Sequence, residues 1–287
     1  MIHINEFLVN KKINKKINQN TVYKYHPKTK DELISNIKQL VDKHIYDFNC
    51  IDVSKITDMS HLFDYYFTNI DLKYEDFDIS EWNVSNVKKM DFMFTLCSNF
   101  NCDISNWDVN NVEDMGCMFN NCTEFNYDLS NWNVSNVKSM YGTFNKCAKF
   151  IGKGLENWDV SNVEDMNLMF GGCEQINIDL SNWNVSNVKG MDATFIKCKK
   201  FEGKGLKNWD VSNVEDMSDM FNGCIMFNED ISGWDVSNVG SMMGMFKGCE
   251  SMNINLSNWN VSNISNYSKE GMFNKCKKQT IPNWYKY

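Results

Sequence analysis

Tryptophan occurs at positions 82, 107, 132, 158, 183, 209, 234, 259 and 284, and nowhere else in the chain. The steps between them are 25, 25, 26, 25, 26, 25, 25 and 25 residues. A fixed step of this size marks a chain that grows one coil at a time, each coil stacking on the one before. This overrides the expectation from length, which for 287 residues would be one or two globular domains.

Numbering each coil from its tryptophan as position zero exposes the core. Position +2 is Val from Val84 to Val261. Position +5 is Val or Ile, from Val87 to Ile264. Position +8 is Met from Met90 to Met242, +12 is Phe from Phe94 to Phe246, and +15 is Cys from Cys97 to Cys249. Leu or Ile stands three residues before each tryptophan. Residues 51–63 form a first coil with Ile51 in the tryptophan place. The last coil gains two residues within 265–271, which moves its Phe and Cys to Phe273 and Cys276. Alternation around each tryptophan predicts a short strand there. The +5, +8, +12, +15 spacing predicts a helical or 3-10 turn. One strand and one short helical segment per coil make an α/β solenoid on the leucine-rich-repeat plan. Stacking at the ~4.8 Å strand spacing predicts a body of roughly 40–45 Å.

Polar columns are equally regular. Asn at +4 is unbroken from Asn86 to Asn263, which predicts turn chemistry with an amide bonded to neighbouring backbone. Position +1 alternates Asn and Asp, and position +6 alternates Lys and Glu, as in Lys88, Glu113, Lys138, Glu164 and Lys189. Equivalent residues of stacked coils are close neighbours, so alternation of sign removes repulsion. The unit of duplication is two coils, since GKGL at 152–155 returns at 203–206.

Before the coils, residues 1–25 read as a flexible polar arm and 26–50 as an N-terminal cap. Thr29 with Glu32 fits a capping box, and Leu33, Ile34, Ile37, Leu40 and Val41 recur at helical spacing. A helix over 30–44 is therefore expected to cover the open end of the solenoid, which fills 51–287. Between the first two coils lies an aromatic, acidic insertion, DYYFTNIDLKYED. Insertions in solenoids project from one face and often bind. Tyr65, Tyr66 and Tyr74 are the candidate binding residues.

Chemistry is sparse. Net charge is −8, and all 29 basic residues are lysine, which argues against nucleic-acid or phosphate partners. The eleven cysteines lack paired metal-ligand spacing, and all four histidines precede the regular coils. Reduced thiols packed as small hydrophobes are expected, with no metal and no cofactor. Nucleophile-elbow, dinucleotide, P-loop and zinc-protease motifs are absent, so catalysis is not expected. No apolar run is long enough to span a membrane.

The repeat WDVSNVEDMxxMFxxCxxFNxDISxW resembles that of the BspA-like leucine-rich-repeat proteins, above all their branch with WDVSNVTDMSxMF coils. The lead-in YHPKTKDELISNIKQLV and IDVSKITDMSHLF resembles theirs too, so the likeness covers about residues 25–287. It implies a leucine-rich-repeat-like solenoid and a non-enzymatic, protein-binding role. Relatives are often displayed on or secreted from cells, and some adhere to host proteins. No leader, lipobox or anchor is evident, so the expectation is a cytoplasmic protein-interaction scaffold. A surface or secreted adhesin is the alternative.

Overall fold

The computed structural model describes residues 23–64 and 77–285. Helix α1 covers Lys30–Val41. Its N-cap is Thr29, whose Oγ1 accepts from the Glu32 N–H at 3.2 Å. The Glu32 carboxylate reaches back to the Lys28 N–H at 2.6 Å, one residue before the usual capping-box partner. All five apolar residues of the expected stripe are buried. The helix stops three residues before His44. There the Ile45 N–H turns back to Leu40 O and the His44 N–H to Val41 O, with His44 at φ 55°. That is a Schellman closure, with histidine in the place glycine usually takes.

From Ile51 on, each coil lies against the next. The coil of Trp158 shows how. N–H groups of Met166, Leu168, Phe170 and Gly172 donate forward to carbonyls of Gly190, Asp192, Thr194 and Ile196, at 2.7–3.0 Å. The intervening N–H groups of Met169, Gly171 and Cys173 turn back three residues within their own coil, at 2.9–3.1 Å. Alternate peptides thus serve the stack and the coil. A left-handed residue at +10 and another at +14 make this alternation possible, as with Leu168 at φ 59° and Gly172 at φ 74°. The stack is a repeat protein built from turns.

The expected distribution of strand and helix is therefore not what forms. Among the described residues, no strand lies around the tryptophans and no α-helix lies within a coil. In the regular coils parallel pairing instead falls at +7, as isolated bridges running Lys89, Asp114, Ser139, Asp165, Gly190, Asp216 and Ser241, with two further bridges, Tyr25–Ile51 and Asp47–Asp78, at the head. Around Trp158 the chain makes tight turns, with Trp158 N–H on Leu155 O and Val163 N–H on Val160 O. Peptides bent this way cannot form a ladder, so the apolar alternation there records turn period and not pleat. The +5 to +15 stretch cannot be α-helical, because every second N–H is spent on the next coil. Short 3-10 helices at Leu155–Asn157 and Leu206–Asn208 fall at the two GKGL loops.

Side chains complete the stitching. Each indole N–H from Trp82 to Trp284 donates to a backbone carbonyl of the preceding coil at 2.8–3.3 Å. Each +4 amide from Asn86 to Asn263 does the same at 2.6–2.8 Å. The cysteines from Cys122 to Cys276 are free thiols that donate to the preceding coil's Phe carbonyl at 2.9–3.1 Å. They are donors as well as small hydrophobes, a role absent from the sequence reading. Between them runs a ladder of phenylalanines from Phe63 to Phe273, stacked at 5.5–5.9 Å. Stacked aromatic pairs add about 0.5–1.5 kcal/mol each beyond area burial.

Both ends are covered in part. α1 lies at the head, tied by Lys30 Nζ to Ser60 Oγ at 2.8 Å and Asp58 Oδ1 at 3.4 Å. At the tail the Gln279 amide accepts from Ile254 N–H at 2.9 Å and donates to Ile254 O at 2.7 Å, so a side chain imitates the backbone of a further coil.

Three substitutions test this construction. Gly154 has φ 94°, and a Cβ there would meet Ser130 N at 2.2 Å. Gly154→Ala is expected to cost more than about 2 kcal/mol, whereas Gly233→Ala, with open space around it, is expected to stay within about 0.5 kcal/mol by chemical denaturation. Trp183→Phe removes the 2.8 Å bond to Leu155 O. With the bond lost and the smaller ring leaving space, about 1–3 kcal/mol of destabilisation is expected in the same assay.

Candidate functional site

The insertion that carries Tyr65, Tyr66 and Tyr74 lies outside the described residues. The second irregularity, 265–271, is described. It folds as a 3-10 helix, Tyr267–Lys269, with Tyr267 75% exposed. Lys269 takes the place that methionine holds at +8 in earlier coils and is buried.

Charge divides the surface into two kinds. At +6 and beside the GKGL loops, adjacent coils pair lysine with carboxylate. Lys88–Glu113 is at 3.6 Å, Glu113–Lys138 at 3.8 Å and Glu164–Lys189 at 3.1 Å. Lys153–Asp128 and Lys204–Asp179 stand at 2.7 and 2.8 Å. The hydrogen bond from Lys153, with those from Ser130, holds the Asp128 carboxyl down at about 2. The alternation legible in the sequence is thus realised as ion pairs between coils. Each exposed pair contributes little to stability, but together they neutralise those columns.

The ladder face, formed by positions +7 to +10, is different. Asp91, Asp114, Asp165, Asp192, Asp216 and Asp219 lie on it, all half-buried. Asp114, Asp165, Asp192, Asp216 and Asp219 have no ion-pair partner among the described residues. Burial and the charges of Asp216 and Asp219 push the Asp192 carboxyl up to about 6. Burial first, then Asp114, raises Asp91 and Asp165 in the same sense. Burial and the charges of Asp114, Asp165, Asp64 and Asp91 lift the Cys117 thiol to about 11, so it stays protonated. Tyr141 and Met243 stand exposed on the same face.

At its head end the face carries His61. The ring stacks on Phe92 with centroids 4.6 Å apart. Its Nδ1 is 3.3 Å from Asp64 and its Nε2 is 4.0 Å from Asp91, so carboxylates flank it on opposite sides. A single ion could not take both carboxylates and the ring. Among the described residues no group of three metal-ligating side chains converges. The sequence signal for this cluster was available but overlooked. His61 occupies the left-handed +10 place, where later coils hold Phe, Cys, Gly, Leu, Ala or Asp.

The comparison with known families bears on the whole stack. A family model described as "Mycoplasma protein of unknown function, DUF285" matches residues 31–153, 128–205 and 190–285. The chain belongs to this family. The three matches overlap and run the length of the described stack of coils, as expected where the unit of likeness is the coil. No curated protein sequence matches the chain. Among the described residues no helix is long and apolar enough to cross a membrane.

The acidic face has a pH signature. Asp192 holds its proton more tightly folded than unfolded, since its folded pKa of about 6 lies above the ordinary 3.8. Its ionised form therefore costs stability above that pH, and the cost vanishes as pH falls below the ordinary value. Asp192→Asn is expected to raise the melting temperature by a few degrees at neutral pH and to leave it unchanged near the ordinary carboxylate value. Calorimetry of both proteins at the two pH values checks this.

Proposed function

We propose that this protein is a non-enzymatic protein-interaction scaffold whose ladder face receives a basic protein partner. The observation that carries the reading is the contrast between columns. The chain pairs lysine with glutamate in its +6 column, whereas on the ladder face, where Lys89 is the one lysine of the regular coils, Asp114, Asp165 and Asp192 form no ion pair among the described residues. Like charges held together at half-buried positions cost folding free energy, and such cost is commonly retained where a site binds. A partner's lysines and arginines would relieve it, with steering that weakens in salt.

On this reading the fold is a leucine-rich-repeat-like solenoid of the BspA-like kind whose strand has contracted to one bridge per coil. Tyr65, Tyr66 and Tyr74 are proposed as a second contact. The proposed setting is the cytoplasm, with a surface or secreted adhesin as the alternative. Labelling intact cells with a membrane-impermeant reagent separates the two, since a labelled protein would place it outside.

The partner test is a capture from the native cell with wild type, Asp114→Asn/Asp165→Asn/Asp192→Asn, and Tyr65→Ala/Tyr66→Ala/Tyr74→Ala. Salt-sensitive partners held by wild type and lost by the Asn triple variant are expected. A partner set unchanged by the Asn variant would overturn the assignment of the face, and one unchanged by the Ala variant would remove the insertion from the site.

A further inference from the structure

The ladder has a direction. N–H groups at +8, +10, +12 and +14 donate to carbonyls at +7, +9, +11 and +13 of the next coil, and the coils repeat this polarity. A stack built this way has unlike ends. At the head, the carbonyls of Ser60 and Leu62 meet no donor among the described residues. At the tail, the N–H groups of Phe273 and Lys275 meet no acceptor among the described residues. Phe273 and Leu62 occupy matching ladder positions, as do Lys275 and Asp64, offset as in any two adjacent coils. Phe63 and Phe273 are likewise the first and last rungs of the phenylalanine ladder.

Charge follows the same polarity. The head coil carries Asp47, Asp52, Asp58 and Asp64 against Lys55, while the tail exposes Lys275, Lys277 and Lys278 against Glu270, with Lys277 also paired to Glu250 at 2.7 Å. The other half of each end is already covered. At the head, Tyr25 bridges Ile51 and Asp52 N–H donates to Tyr25 O. At the tail, Trp284 Nε1 donates to Leu256 O and Gln279 pairs with Ile254. Among the described residues, what remains unmatched at both ends is the hydrogen bonding of the ladder half; at the tail Tyr285 lies edge-on to Phe273 with centroids 5.0 Å apart, and it must swing aside for a second copy to stack. At the head, α1 is tied to that half through Lys30 on Asp58 and Ser60.

We propose that α1 is an autoinhibitory plug, and that its release lets the head of one copy dock on the tail of a second copy in coil register. Phe273 N–H would then meet Leu62 O, Lys275 N–H would meet Asp64 O, and the tail lysines would lie beside the head aspartates. Such a contact is heterologous and does not close on itself, so it extends into chains of copies. The plug prevents this in the form described above, because α1, with Leu33 and Ile37 fully buried, is held at Asp58 and Ser60 of the head coil by Lys30.

The test uses the full chain in the series Lys30→Ala, Leu33→Ala, Leu33→Ala/Ile37→Ala and Leu33→Asp/Ile37→Asp. The variant chosen is the first whose α1 amides exchange without protection while the near-ultraviolet circular dichroism of the aromatic ladder is retained. Sedimentation velocity should show wild type as one species at all concentrations. The released variant should at least double its weight-average mass at high concentration and low salt. Adding Lys275→Glu/Lys277→Glu/Lys278→Glu should return it to the monomer. A released variant that stays monomeric, or whose association survives the tail reversal, would overturn the proposal. So would a series in which release of α1 always unfolds the ladder, since helix and stack would then be one folding unit.

Discussion

The structure depends on how each coil divides its backbone N–H groups. Alternate donors between +8 and +15 go forward to the next coil, and the others close turns within their own. A peptide group can serve only one of these tasks well. The division therefore needs the chain to reverse its sense every few residues, through left-handed residues at +10 and +14. For Phe92, Leu168 and Lys197 that conformation is intrinsically unfavourable. It persists because the forward bonds, the phenylalanine stack and the thiol bonds over-determine it. A substitution at one coil acts on three, since each coil is acceptor for one neighbour and donor to the other.

Carbonyls are used twice for the same reason. Leu155 O accepts from Trp158 N–H within its coil and from Trp183 Nε1 of the next. Phe170 O accepts from Cys173 N–H and from the Cys198 thiol. Spending both lone pairs of a buried carbonyl on two coils satisfies the polar group and holds the spacing together. It also explains why tryptophan and cysteine, and not leucine and alanine, fill these columns. Each offers apolar bulk and one donor. Among the described residues no buried side-chain nitrogen or oxygen is left without a partner.

The surface follows from stacking. A residue type placed once is placed again beside itself one coil later, so every charged column must alternate in sign or tolerate repulsion. Most columns alternate, and their lysines and carboxylates meet across coils. The ladder face tolerates repulsion. The balance there shows in the raised carboxyls of Asp91, Asp165 and Asp192. Direction matters as much as sign. Because every forward bond points the same way, the two ends cannot be alike, and α1 and Gln279 meet different needs.

The sequence by itself determined the coil, its length, its buried columns, its cap helix and its lysine–carboxylate alternation. These are one-dimensional facts, since a residue that recurs at a fixed step has the same neighbours at every step. It also carried a signal for the +4 amide, because an unbroken Asn in a bend has few other uses. Only the tertiary structure decided where the coils are joined. Apolar alternation around Trp158 reads as a strand, but a turn of three residues buries the same side chains. Which peptides face a neighbour is set by the bending of the backbone, and no side-chain pattern records it. The same holds for His61. Its nearest charges, Asp64 and Asp91, come from two coils and become neighbours only when the second is laid on the first.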